Sequence, residues 1–159
     1  MVKSKDKKSI SKVFANNKRA TYDVATESKF VAGISLLGRE VKSIRQGSCS
    51  LNDSYIRLIN NQGNLECYWI NGYIREYQSK KGIDSRYEET RSRKLLLTRP
   101  EILRLSKLLS KKGTAAVPSR LFDNHNWIKI EFIVGSGKSK IDKREVIKKR
   151  DLEREANRQ

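Results

Sequence analysis

The spacing of apolar residues changes period several times along the chain, and each change marks an element. Residues 22–36 are rich in β-branched and aromatic side chains and read as extended chain, with Gly33 marking a bulge or tight bend. Leu37, Val41 and Ile44 then fall on one face of a short helix, and Gly47 supplies a left-handed stop just beyond it. Residues 51–59 and 65–70 flank Asn60-Asn61-Gln62-Gly63-Asn64, a run that tolerates positive φ, so the pair predicts a β-hairpin. Thr98-Arg99-Pro100-Glu101 has the spacing of a capping box. Ile102, Leu105, Leu108 and Leu109 follow on one face, and Lys111, Lys112 and Gly113 close that helix. Residues 117–122 and 127–134 flank the turn Asp123-Asn124-His125-Asn126. Ile128, Ile130, Phe132 and Val134 alternate with Lys129, Glu131 and Ile133, the period of a half-buried strand.

Short strands divided by turns and interrupted by helices predict a mainly-β fold. The natural candidate is a small OB-like barrel with two or three short helices on its ends and a flexible basic tail. The organisation expected is a flexible basic arm over 1–16, the barrel over 17–137 and the tail over 138–159. The first dozen residues are mostly Lys, Ser and Asp and bury too little to offset the entropy of ordering. In the tail, Ile141, Val146, Ile147, Leu152 and Ala156 form no wide helical stripe. Glu145 with Lys149 favours a helix, but Arg150 with Arg154 and Asp151 with Glu155 repel, each by about 0.2–0.5 kcal/mol. The tail is therefore expected to be disordered when free and to order against RNA phosphates.

Charge narrows the partner. The 159 residues carry 35 Lys+Arg against 18 Asp+Glu, a net charge of +17. Such a chain repels itself unless a polyanion is near, and nucleic acid is the obvious one. No run approaches the ~18 apolar residues of a membrane span and the N-terminus lacks a signal-peptide core, so no membrane partner is expected and a cytoplasmic protein is. Cys49 and Cys67 are two isolated thiols rather than a disulfide framework, and they read as reduced structural residues.

Catalytic and metal chemistry finds little to build on. His125, the lone histidine, sits in a polar turn, and no Cys-x-x-Cys or His-x-x-x-His spacing preorganises a zinc site. Gly135-Ser136-Gly137-Lys138-Ser139 resembles the end of a phosphate loop, but the first glycine of that pattern would fall on Phe132. A glycine-rich turn presenting Lys138 to a phosphate is the better reading. Glu40 and Asp53 are expected to be solvated surface acids. The expectation is no enzyme, no catalytic residue, no metal and no cofactor. What remains is cations interleaved with aromatics: Lys18, Arg19 and Tyr22; Tyr73, Arg75 and Tyr77; Arg86 and Tyr87; Arg91, Arg93 and Lys94. Arginines fork onto phosphates and aromatic faces take unstacked bases. For any single pair, a solubilising cation beside a core aromatic is the blander reading.

Taken in order, Asn17-Lys18-Arg19-Ala20, Ala32-Gly33-Ile34, residues 38–45 (Gly-Arg-Glu-Val-Lys-Ser-Ile-Arg), Asp53-Ser54-Tyr55, the Arg-Ser-Arg-Lys-Leu-Leu-Leu of 91–97, Gly137-Lys138 and Asp142-Lys143-Arg144 resemble the SsrA-binding (small protein B) family from about residue 17 to 150. The resemblance implies an OB-like barrel that binds the transfer-RNA-like part of transfer-messenger RNA and delivers it to stalled ribosomes for trans-translation. It further implies an adaptor rather than a catalyst, a monomer when free, and a tail that enters the empty mRNA channel beside the small-subunit decoding region. Carried over residue by residue, it implies RNA contacts at Asn17, Lys18, Arg19, Gly33, Lys94, Leu96, Lys129, Gly137 and Lys138, and ribosome contacts at Asp142, Lys143 and Arg144. Tyr22 stands where the family commonly has a histidine and can stack in its place. Val31 stands where the family commonly has an acidic residue and cannot accept a hydrogen bond. Leu96 reads either as core or as part of the interface.

Overall fold

A computed structural model describes residues 12–78, 82, 86–138 and 140–158, with the side chains of 140–142 outside that description. The elements run β1 (Lys12–Asn16), α1 (Lys18–Asp23), β2 (Val24–Ile34), α2 (Gly38–Arg45), β3 (Cys49–Ser50), β4 (Tyr55–Asn61), β5 (Asn64–Ile70), β6 (Tyr73–Ile74), β7 (Arg93–Leu96), α3 (Arg99–Leu109), β8 (Thr114–Asn124), β9 (Trp127–Gly137) and α4 (Lys140–Ala156). The main sheet has the order β1-β8-β4-β5-β7-β2-β9, and β8 also pairs with β9, so the sheet closes into the barrel that the alternating pattern predicts. β3 and β6 form a separate two-stranded sheet.

Closure through the β8–β9 pairing encloses one core, and β1 adds as an edge strand along β8. Trp69, Phe132, Ile130, Leu121, Leu105, Ile44 and Ile74 are wholly buried in it, and the Phe30 and Phe132 rings stack with centroids 5.2 Å apart. Each such side chain contributes about 1.5–3 kcal/mol by burial. The one polar tip in this layer is satisfied, because the Trp69 indole N–H donates to Ser54 Oγ at 2.9 Å and that hydroxyl donates to the Leu51 carbonyl at 2.6 Å. The capping box predicted at 98–101 starts α3, where the Thr98 N–H donates to Glu101 Oε2 at 2.8 Å. Gly47 takes φ +77° after α2, and Gln62 and Gly63 take φ +50° and +87° in the β4–β5 turn.

Several expectations are corrected. The arm does not extend to residue 16, because 12–16 form β1, whose residues pair with β8 from Lys12↔Asp123 to Asn16↔Arg120; residues 1–11 lie outside the described residues. Tyr22 belongs to α1, not to a strand, since Ala20 and Val24 must meet Ile133 and a helical turn brings them there. Gly33 is paired regularly on both sides, with Leu96 and with Lys129. The bulge of β2 lies instead between Thr26 and Ser28. It presses the Ala25 carbonyl onto Gly135, where any Cβ would collide. Gly135-Ser136-Gly137 is accordingly strand rather than a phosphate-cradling turn, because close backbone approach requires the glycine.

In the tail, expected to be disordered when free and to order against RNA, residues 140–156 are the helix α4. Its residues are mostly good helix formers, and the Lys143 ammonium anchors its first turns by lying 3.3 Å from Asp23 Oδ1 and 5.6 Å from the Tyr22 ring centre. Beyond Val146 every described residue of the helix is exposed, consistent with the missing apolar stripe.

Candidate nucleic-acid interface

Strand alternation divides the barrel wall into two faces. On β2, Phe30 and Ala32 point inward, leaving Lys29, Val31 and Gly33 outward. On β7, Arg93 and Leu95 point inward, leaving Lys94 and Leu96 outward. On β9, Ile130 and Phe132 point inward, leaving Lys129 and Glu131 outward. Register then fixes who stands beside whom. Leu96, Gly33, Lys129 and Phe122 make one row across β7, β2, β9 and β8. The next row is Val31, Glu131 and Arg120.

At Gly33 the missing side chain leaves a dent, since a Cβ there would lie 3.5 Å from Leu96 and 3.6 Å from the Lys129 ammonium. Three residues singled out from sequence, Gly33, Leu96 and Lys129, therefore meet at one spot. Leu96 is 57 % exposed, which settles its place: it belongs to the surface, not the core. Lys94 lies on the same face of β7 opposite Tyr68, and its ammonium stands 3.1 Å from Glu66 Oε1. The Tyr68 hydroxyl donates to Glu66 Oε2 at 2.7 Å. That bond, followed by Lys94, holds the Glu66 carboxyl below its ordinary range. Tyr68 and Glu66 were missed in the sequence because only strand pairing brings them to Lys94.

α1 stands beside these rows on the outer side of β8 and β9. Asn17 is its N-cap, 5 % exposed, with its backbone N–H donating to Ser119 O at 2.7 Å and its amide to Pro118 O at 3.0 Å. Lys18 and Arg19 project into solvent. At the far end, the Lys138 ammonium donates to the Thr21 carbonyl at 2.9 Å, and its backbone N–H donates to Asp23 O. Gly137, just before it, ends β9. Tyr22 is half-buried with Lys143 over its ring, and Arg144 is exposed on α4. The Asp142 side chain lies outside the described residues.

Other cations called from sequence face elsewhere. Glu40, expected to be solvated, has no exposed side-chain surface. Arg91 Nε and Nη2 donate to its two oxygens at 2.6 and 2.7 Å, Arg93 Nε donates at 3.1 Å, and the Leu37 N–H donates at 3.0 Å. Burial pushes the Glu40 carboxyl upward, but the Arg91 bonds, the Leu37 N–H and the charges of Arg93 and Arg91 outweigh it, and the net direction is down. Arg93 is itself wholly buried and also donates to Gly72 O at 2.6 Å and Glu89 O at 3.0 Å. Arg91 and Arg93 thus bind the 87–93 segment to α2 and are not free to meet RNA. Burial pushes the Cys49 and Cys67 thiols up to about 11 and about 12, which keeps both protonated and unreactive at neutral pH.

A family model described as SmpB protein matches residues 14–159. The SsrA-binding protein of Caldanaerobacter subterraneus is 41% identical over 156 residues, covering 98% of this chain and 94% of its own length. That of Lactobacillus johnsonii is 39% identical over 152 residues, covering 96% and 97%. A solved structure described as "tmRNA-SmpB: a journey to the center of the bacterial ribosome" shares the fold with a TM-score of 0.63 at 32% identity, covering 83% of this chain and 92% of that one. With sequence and fold matching along nearly the same stretch of chain, this protein belongs to the SmpB family.

Proposed function

We propose that this chain binds the transfer-RNA-like part of transfer-messenger RNA and carries it to stalled ribosomes for trans-translation, acting as an adaptor rather than a catalyst. The observation that carries the reading is the meeting of Leu96, Gly33 and Lys129 on one outward face, flanked by Lys94 and by the Asn17-Lys18-Arg19 end of α1. This face offers cations for phosphates, an exposed apolar side chain and a dent without a side chain, which suits the splayed bases of folded RNA better than a regular duplex. The names of the relatives supply the RNA and the ribosome. Recognition falls to Asn17, Lys18, Arg19, Tyr22, Gly33, Lys94, Leu96, Lys129, Gly137 and Lys138.

α4 carries Lys143, Arg144, Lys148, Lys149 and Arg150, a cationic helix anchored at one end, and we assign it to the empty mRNA channel. Phosphates lining that channel would neutralise it. A role on the ribosome would be played out in the cytoplasm; no described helix is long and apolar enough to cross a membrane. Truncation after Ser139 separates the two halves of the proposal. Affinity for transfer-messenger RNA should stay near that of the full chain while peptide tagging on stalled ribosomes fails. Tagging that survives would remove the tail from the account.

A further inference from the structure

The outward face that the proposed function assigns to RNA holds a carboxylate in its middle. Glu131 stands opposite Val31 on one side and Arg120 on the other. A negative group there opposes every phosphate that approaches, in a chain of net charge +17. It is nevertheless built in. Between Pro118 and Arg120 the register of β8 shifts by one residue, making Ser119 the extra residue of a bulge. The bulge lets two neighbours address one side chain: the single proton of the Ser119 hydroxyl is shared between Glu131 Oε1 at 3.0 Å and the Glu131 carbonyl at 3.1 Å, and Arg120 Nη2 donates to Oε2 at 2.9 Å. Each oxygen keeps a second acceptor site, so the braced carboxylate offers two acceptors side by side. Its side chain is 15% exposed. Beside it Val31 is 47 % exposed and flat, and Gly33 opens space in the next row.

We propose that Glu131 is a specificity-determining residue of the RNA face, accepting the paired N1–H and N2–H donors of an unstacked guanine that lies against Val31. The inference rests on the reading of this face as the RNA surface. Guanine presents two parallel donors on its Watson–Crick edge, and a carboxylate is the side chain whose two acceptors match them. Val31 supplies the apolar contact for the base plane. Ser119 and Arg120 fix the carboxylate's orientation before RNA arrives, so little ordering is left to do on binding.

The sign of the effect distinguishes recognition from bracing. Glu131→Gln and Lys129→Ala are titrated, beside the unaltered chain, against the transfer-RNA-like fragment of transfer-messenger RNA and against an elongator transfer RNA of similar length. Their thermal unfolding is recorded alongside. A bracing carboxylate that touches no base only repels phosphate, so Glu131→Gln would then strengthen binding to both RNAs. The proposal expects the opposite on the cognate fragment, a loss of about tenfold, with an unchanged or stronger grip on the elongator RNA. Cognate affinity that is unchanged or rises in Glu131→Gln while Lys129→Ala weakens it overturns the proposal and leaves the RNA face standing. Cognate affinity unchanged in both variants overturns the RNA face and the proposal with it. Should Glu131→Gln fail to fold, Ser119→Ala removes one brace only; a smaller cognate-specific loss, about two- to threefold, is then expected, and equal effects on both RNAs overturn the proposal.

Discussion

Replacing Glu40 by Gln keeps the shape of the side chain and deletes its charge, and it tests how α2 is held to the barrel. Neither Glu40 nor Arg93 has exposed side-chain surface, so Arg93 cannot turn to water when its partner is lost. Arg91, 29% exposed, can. Removing one member of a buried pair costs about 3–5 kcal/mol, because the remaining charge stays desolvated. Gly72 O and Glu89 O still accept from Arg93, which pulls the value toward the lower end of that range. For a chain of this size the loss lowers the melting temperature by about 10 °C. Urea unfolding followed by circular dichroism reads the free energy directly.

The same pair sets an acid limit. The folded-state pKa of Glu40 is below its ordinary 4.5, so its contribution is complete above that pH and is lost as pH falls through the lowered value. Glu40→Gln should therefore flatten the decline in stability below about pH 4.5. A loss under about 1 kcal/mol at neutral pH, with the acid decline unchanged, would refute a buried uncompensated charge.

Four further outcomes follow from the geometry. Gly72→Ala should destabilise by at least 1–3 kcal/mol in thermal unfolding, because a Cβ there drives into the wholly buried Trp69 ring. Leu96→Ala should cost about 0.5 kcal/mol or less, rather than the ~2–5 of a core leucine, and still weaken RNA binding. Lys129→Ala should reduce the slope of log affinity against log salt by about one, read from filter binding across a salt series. In α4, hydrogen exchange should show amides beyond Val146 opening far more easily than those of β9, since every described residue beyond Val146 is exposed while Lys143 in the first turns pairs with Asp23 of α1.

Much of the fold could be read from local chemistry. The 98–101 capping box, the stop at Gly47 and the alternation along β9 each act within a few residues and lie where the pattern puts them. The errors are long-range. β1 has no apolar alternation of its own and exists because β8 offers it an edge. Gly135 looks like a loop glycine until the β2 bulge opposite it is known. Among the candidate contacts, Lys94 stood out among the cations interleaved with aromatics, whereas Leu96, Gly33 and Lys129 were identifiable only through a family resemblance, and pairing of strands distant in sequence brings these three together. Glu40, Arg91 and Arg93 misled for the opposite reason. Charged residues are expected at the surface, and only the packing of α2 against the 87–93 segment turns these three inward.

The central claim is that RNA docks on the outer face of β7, β2 and β9 beside α1. Amide chemical shifts of the full chain, followed while the transfer-RNA-like fragment of transfer-messenger RNA is added, test it most directly. The account predicts that the largest changes fall on Lys18, Arg19, Val31, Gly33, Leu96, Lys129 and Lys138, with little change at Glu40, Ser43 and Ile74 across the barrel. Changes concentrated on α2, β3 and β6, with Gly33 and Lys129 unmoved, would contradict it.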